Sequence, residues 1–396
     1  MSNVKTSAAG AHKPLPRALI IVLAVLTAIG LGCWFYSLAA GLEVGGVSNV
    51  SPWGIYITVF MTFVGLSAGG LIVASSAHVF NIEPFKKVAL PAVIMSTVCI
   101  CAALGFIIVD LRNPANMWRL FTGPNPVSPL TWDVIVIFTY LVINIIDIVL
   151  LVRGDERKVS ILSRIALPVA ILVHSVTAWI FSLQVARTWY TAIMAPIFVV
   201  SACDSGLALL ILGLVCLEAL GWFTAGRELI KSLAGLLATF IAVDAFLIAC
   251  ELLTMGYPGA AEAEALSVIL TGAAAPYFWL EAIGGLLIPF CILVFAKNRE
   301  NTTLVVVSSA LVVLGVLCKR VWLLFSGFAA PYAENSPVVP GWLHAGDAAS
   351  MGGLAGFYAP SVFEILVTIG IVALFTLVFL VLCNKLLGAR AEANTQ

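Results

Sequence analysis

Ten apolar runs, each long enough to cross a bilayer as a helix, take up most of this 396-residue chain. Such a helix needs about 20 mostly apolar residues. The runs at roughly 18–40, 53–80, 88–109, 131–152, 161–186, 192–221, 232–255, 277–296, 303–327 and 361–383 all meet that length. With 62% hydrophobic and 10% charged residues and a mean hydropathy of +1.10, a soluble globular fold is excluded, because no polar surface would be left for water. The expected fold is an all-α polytopic membrane protein of about ten transmembrane helices. Its immediate partner is the lipid bilayer, and no nucleic acid is expected.

An even number of spans puts both termini on one side, and the basic residues say which. Lys5, Lys13, Arg17, Lys86, Lys87, Arg153, Arg157, Lys158, Arg164, Arg227, Lys231, Lys297, Arg299, Lys385 and Arg390 fall on the terminal side. Only Arg112, Arg119, Arg187, Lys319 and Arg320 fall on the other side or in the helix ends next to it. The bias predicts cytoplasmic termini in a multi-pass protein. The first apolar stretch exceeds the 7–15 residues of a signal-peptide core, so it reads as a retained helix.

The spans divide the chain into a tail (1–17), a first helix with its outer loop (18–52), a four-helix bundle (53–190), a second four-helix bundle (191–327), an outer loop (328–360) and a last helix with its tail (361–396). The inner connections are short and charged. The outer ones, 41–52, 110–131, 256–276 and 328–360, are longer, so function is expected on the outer face. Within 110–133, Arg112, Arg119, Trp118, Trp132 and four prolines make a stiff amphipathic connection suited to the interface, able to roof a pocket or dock a partner. Gly65, Ser67, Ala68, Gly69 and Gly70 form a small-residue patch that lets helices touch or a ligand lie close.

Charge at bilayer depth is costly unless paired or wetted, so intramembrane ionisable residues are candidates for function. His174 and Asp204 fall at one depth on consecutive spans and are candidates for a hydrogen-bonded pair. Asp244 is also central, Glu251 is nearer the outer end, Glu281, Arg320 and Glu364 lie near outer helix ends, and Asp147 lies toward an inner one. Two roles compete: pairs such as Glu251 or Glu281 with Arg320 that hold helices together, and a proton path through Asp204, Asp244 and Glu251. Histidine titrates near neutrality, which suits His174 to proton exchange. A secondary transporter with midplane acids is the alternative class.

The nine cysteines lie in apolar runs without a C-x-x-C pair, and no two of the four histidines offer facing imidazoles at matching depth. Neither haem nor an iron–sulfur cluster is expected in this chain, and no metal site.

Several motifs resemble one family in the right order. Asp110-Leu111-Arg112 closes a helix, Trp118 follows, and Ser128-Pro129-Leu130-Thr131-Trp132 opens the next. Pro52-Trp53-Gly54 leads into Val64-Gly65-Leu66-Ser67-Ala68-Gly69-Gly70. His174-Ser175 precedes Arg187 and Trp189, Tyr277-Phe278-Trp279-Leu280-Glu281 precedes Gly284 and Pro289, and Tyr358-Ala359-Pro360-Ser361 precedes Glu364. Together these resemble the polysulfide reductase membrane-subunit (NrfD-like) family in its ten-span form.

The resemblance implies a quinone-reactive anchor of a bacterial inner-membrane respiratory complex. It would exchange electrons between menaquinol or ubiquinol and a ferredoxin-like four-cluster iron–sulfur subunit on the outer, periplasmic face, and through that with a molybdopterin or other catalytic subunit. The quinone would be exchangeable and bound in the first bundle. His174, Asp110 and Arg112 are the implied catalytic residues, and Trp53, Tyr56, Gly65 and Arg187 the implied binding residues. Where shorter relatives carry asparagine and histidine toward the quinone, this chain has Tyr56 and Phe60, which leaves His174, Tyr56 and Arg112 to hydrogen-bond its carbonyl.

Overall fold

A computed structural model of the chain describes residues 14–47, 51–111, 113–184, 189–257, 261–329 and 358–393. The long apolar runs satisfy their own backbone groups as helices, as lipid demands. Among the described residues the elements are helical throughout. In chain order they are α1 (Arg17–Ala40), α2 (Ile55–Val79), α3 (Glu83–Lys86), α4 (Ala89–Asp110), α5 (Arg119–Thr122), α6 (Pro129–Arg153), α7 (Glu156–Ser182), α8 (Met194–Ala219), α9 (Arg227–Gly256), α10 (Ala261–Leu270), α11 (Ala275–Trp279), a π-helical stretch (Leu280–Leu287), α12 (Ile288–Leu293), α13 (Thr302–Ala329) and α14 (Val362–Ala393), with short 3-10 turns between. Ten helical spans are long and apolar enough to cross a membrane, α11, the π stretch and α12 together making one of them. The protein is an all-α multi-pass membrane protein.

Local chemistry sets several helix ends. Pro129 opens α6 at a position where its missing N–H costs nothing. Gly154 closes α6 in the left-handed region at φ 71°, which favours glycine. The adjoining Asp155 caps α7 by accepting the Lys158 N–H at 3.2 Å. Hydrogen bonds from Lys158 hold the half-buried Asp155 carboxyl below the usual carboxylate range.

Helix α2 lies at the centre. It packs against α4, α7 and α8, and its buried residues run from Ile57 to His78 on all sides. The small-residue patch makes this possible: a Cβ on Gly69 would lie 2.8 Å from Gly206 Cα of α8. One ring of contacts joins α2 to α4, α4 to α6, α6 to α7 and α7 back to α2. A second joins α8 to α9, α9 to α12 and the π stretch, these to α13, and α13 back to α8. Helices α1 and α14, from opposite ends of the chain, pack on each other through Gly30 and Gly370, and α14 rests on α4.

The π stretch adds a departure that an apolar run does not announce. It sits where Gly285 meets Gly315 of α13, a Cβ on the former lying 2.6 Å from the Cα of the latter. The wider turn swings Glu281 inward to 1% exposure.

Candidate functional site

The end of the molecule holding the α4–α6 connection is called the outer end below. Two polar centres are buried beneath it. They meet at α13, whose consecutive residues Lys319 and Arg320 are both fully buried. Neighbouring positions on a helix point about 100° apart, so the two cations serve different neighbours.

Arg320 faces α7 and α8. Its Nη2 donates to Ser201 Oγ at 2.7 Å and lies 3.2 Å from His174 Nε2. Its guanidinium carbon stacks 3.9 Å from the Phe198 ring centroid, a cation–π contact in a site without solvent. His174 is itself fully buried, and its ring lies against Gly65 of α2, where a Cβ would come within 3.3 Å. Three polar atoms of this centre, His174 Nδ1, Arg320 Nε and Arg320 Nη1, have no protein hydrogen-bond partner.

Lys319 faces the other way. Its Nζ donates to both carboxylate oxygens of Asp244, at 2.7 and 2.8 Å, and pairs with Glu281 Oε1 at 3.4 Å. Trp322 Nε1 donates to the other Glu281 oxygen. Asp204, one helix away, is fully buried with neither carboxylate oxygen bonded.

The expected His174–Asp204 pair is therefore not formed; Arg320 takes the imidazole instead. The expected Arg320 partners are also corrected: Glu281 pairs with Lys319, and Glu251 accepts from Thr191 Oγ1 at 3.0 Å. Depth was legible, but the rotation of α13 that decides between Lys319 and Arg320 was not.

An aromatic layer closes this region on its outer side. Trp53 stacks on Trp189 at 6.2 Å and 14°, with Phe181 and Phe328 edge-on to Trp53 at 5.4 and 6.2 Å. Trp189 is pinned by its Nε1 donating to Leu323 O at 2.7 Å and by Gly327, where no side chain would fit beside the indole. A cavity of about 30 Å³ lies next to the layer, lined in part by Trp189, Glu251, Lys319, Trp322 and Ser326. Its other lining side chains are apolar, and the volume is too small for a quinone ring.

Tyr56 and Asp110 are half-buried near the outer helix ends. His174 lies eight residues inside the end of α7, about 12 Å deeper. Asp133 is buried between these levels and accepts from Thr177 Oγ1 at 2.7 Å. Arg112 and Arg187, expected at the same site, lie outside the described residues. A staple ties the segment before α2 to α14: Glu364 Oε2 accepts from Tyr358 OH (2.8 Å), Ser361 N (2.8 Å) and Gly46 N (3.1 Å), while Tyr358 OH accepts from Ile55 N (3.1 Å). Burial, followed by the Glu364 carboxylate, pushes the Tyr358 phenol above its ordinary range.

The model of the family described as polysulphide reductase, NrfD, matches residues 43–331. The chain belongs to the NrfD family. The match takes in α2 to α13 and hence both buried centres. Similar proteins across the family share more than this region. One is a putative dimethyl sulfoxide reductase membrane subunit from Halobacterium salinarum, 33% identical over 92% of this chain and 89% of its own length. Another is an Hdr-like menaquinol oxidoreductase integral membrane subunit from Archaeoglobus fulgidus, 32% identical over 92% of this chain and 91% of its own. A third, a selenate reductase subunit from Mesobacillus selenatarsenatis, is 24% identical over 92% of each.

Residues that sequence reasoning leaves out of the candidate site are Lys319, Ser201, Trp322 and Asp133. By sequence position Lys319 counts only as an outer charge. The signal that could have found it is the pair of cations followed by Trp322 in an otherwise apolar helix.

Proposed function

We propose that this protein is the quinone-reactive membrane subunit of a respiratory oxidoreductase complex. It exchanges electrons between menaquinol or ubiquinol and a ferredoxin-like iron–sulfur subunit docked at the outer, periplasmic end, and a molybdopterin or other catalytic subunit lies beyond that. The first ring of helices is the quinone-binding one in this reading. The observation that carries it is the buried His174–Arg320 centre with unused hydrogen-bonding atoms beneath an aromatic layer, in a chain whose relatives include menaquinol oxidoreductase subunits.

The residues present fit such a substrate. Trp53 and Tyr56 offer aromatic faces at the outer helix ends, Asp110 offers a polar side chain there, and the missing side chain at Gly65 lets α2 lie against His174. Bound quinol supplies two electrons and two protons. Asp133 and Thr177 stand between the outer level and His174, so they are the residues to hand a proton inward. Arg320 donates to His174 Nε2 and holds the ring in place, which leaves the His174 Nδ1–H as a hydrogen-bond donor of this centre. Asp204 and Asp244 continue the path, and Glu251 with the small cavity links Lys319 to the outer end. Three carboxyls, Asp204, Asp244 and Glu281, face two cations, so one proton among them makes the cluster neutral.

The test is quinol oxidation by the assembled complex. His174→Gln is expected to lower the rate by about 100-fold or more, the usual size of a lost acid–base group. A rate and an inhibitor affinity that both stay at the wild-type value would refute the assignment of His174.

A further inference from the structure

The inner half of the first ring holds a second buried polar site, and the helix registers build it. Helices α6 and α7 run antiparallel through the Gly154-Asp155 turn, and the Thr177–Asp133 hydrogen bond fixes their alignment. Fourteen residues deeper on each, about four turns and so on the same helix faces, stand Asp147 and Ser163. Helices α2 and α6 run parallel, aligned by the Ser67–Tyr140 hydrogen bond at 3.0 Å. Seven residues deeper on α6 is Asp147, and eight deeper on α2 is Ser75. Three side chains from three helices therefore stand at one level of the bundle, at 2%, 0% and 0% exposure for Asp147, Ser163 and Ser75.

Each of the three has an oxygen without a protein partner: Asp147 Oδ1, Ser163 Oγ and Ser75 Oγ. Buried hydroxyls elsewhere in the bundle bond back to the carbonyl one turn earlier, as Thr62 and Thr97 do. Ser75 and Ser163 do not, although that bond is open to any helical serine. Leaving three such oxygens dry costs several kcal/mol, whereas a buried water typically makes about three hydrogen bonds to groups of this kind.

The site has a way in and a dead end. One turn toward the inner surface, His78 lies 3.6 Å from the exposed Glu156 and holds its Nδ1 on Ala74 O. Glu156 in turn lines an open groove of about 560 Å³ with Glu83, Lys86 and Lys87. One turn toward the outer end, Asn144, Ser96, Tyr140 and Ser67 form a hydrogen-bonded group. Beyond it Val64, Ile137, Ala170 and Phe106 close the bundle with apolar side chains, all buried. The titratable groups around Asp147 are His78 from α2, Cys99 beside Tyr140 from α4, Glu156 from α7, and the exposed Lys385 at the inner end of α14, which packs on α6.

We propose that Asp147, Ser75 and Ser163 hold water and that Asp147 exchanges protons with the inner surface through His78 and Glu156. A proton taken up by Glu156 from inner water passes to His78 Nε2, the Nδ1–H bond breaks as that proton leaves Ala74 O for the held water, and the water protonates the Asp147 carboxylate; no electron moves. The site is separate from the quinone reading and stands or falls without it.

Infrared spectroscopy of the full-length protein in lipid nanodiscs tests this. The wild type is expected to show a protonated-carboxyl band that shifts in heavy water and titrates with pH. Asp147→Asn removes that component while Asp204→Asn keeps it, and His78→Phe slows its hydrogen exchange at least tenfold. The Ser75→Ala/Ser163→Ala double variant keeps Asp147 and moves the band to higher frequency as its hydrogen-bonded water is lost. A band unchanged by Asp147→Asn, an exchange rate unchanged by His78→Phe, or a band unmoved by the serine replacements would each overturn the proposal.

Discussion

At the scale of single residues, the molecule depends most on Lys319. It pairs with both Asp244 and Glu281, and all three side chains are at 2% exposure or below. Removing one member of a buried ion pair strands the other charge and typically costs about 3–5 kcal/mol. Lys319→Met is therefore expected to lower the thermal unfolding midpoint in detergent sharply, and the Lys319→Met/Asp244→Asn double variant to recover part of the loss. Additive losses in the two variants would show that the pair is not coupled. Tyr358 gives a test outside the membrane spans. Its phenol is held above the ordinary tyrosine value of about 10, so folding favours the neutral form. The stability this contributes is complete below about pH 10 and is lost as pH rises through the raised value. Tyr358→Phe should remove that alkaline dependence, read as unfolding midpoint against pH, and should cost on the order of 1 kcal/mol at neutral pH from the lost hydrogen bonds.

At the scale of elements, the spans were legible because lipid leaves helices little choice of length. The runs at 18–40 and 131–152 appear as Arg17–Ala40 and Pro129–Arg153. The π stretch was not legible, since eight residues in a uniformly apolar run carry too little pattern to separate a wide turn from a normal one. Its contact with α13 is testable. Gly285→Val forces a side chain into Gly315, where even a Cβ is too close, and overpacking of this kind costs about 1–3 kcal/mol. Gly284→Val, where a Cβ meets nothing within 4 Å, should leave the unfolding midpoint nearly unchanged. Equal effects at the two glycines would mean that the π stretch is not seated on α13 as described.

The polar stripe along α6 is legible in the sequence. Asp133, Tyr140, Asn144 and Asp147 stand seven, four and three residues apart, on one face of a helix whose other faces are apolar. What the sequence could not carry was which neighbour meets each of them. That depends on helix rotation and on contacts such as α1 with α14, between residues more than 300 positions apart.

At the scale of the whole molecule, the Lys319 and Arg320 centres are buried beneath the outer end, with a layer of aromatic rings on their outer side. The membrane orientation inferred from the basic residues puts that end outside, and cysteines placed at Val127 and at Arg157 should react with a membrane-impermeant reagent in intact cells at the first position only. If quinol delivers electrons at this subunit, adding menaquinol to the complex in nanodiscs reduces the docked iron–sulfur subunit rapidly with the wild-type chain and about 100-fold more slowly with His174→Gln. Equally fast reduction when this chain is absent would contradict that role.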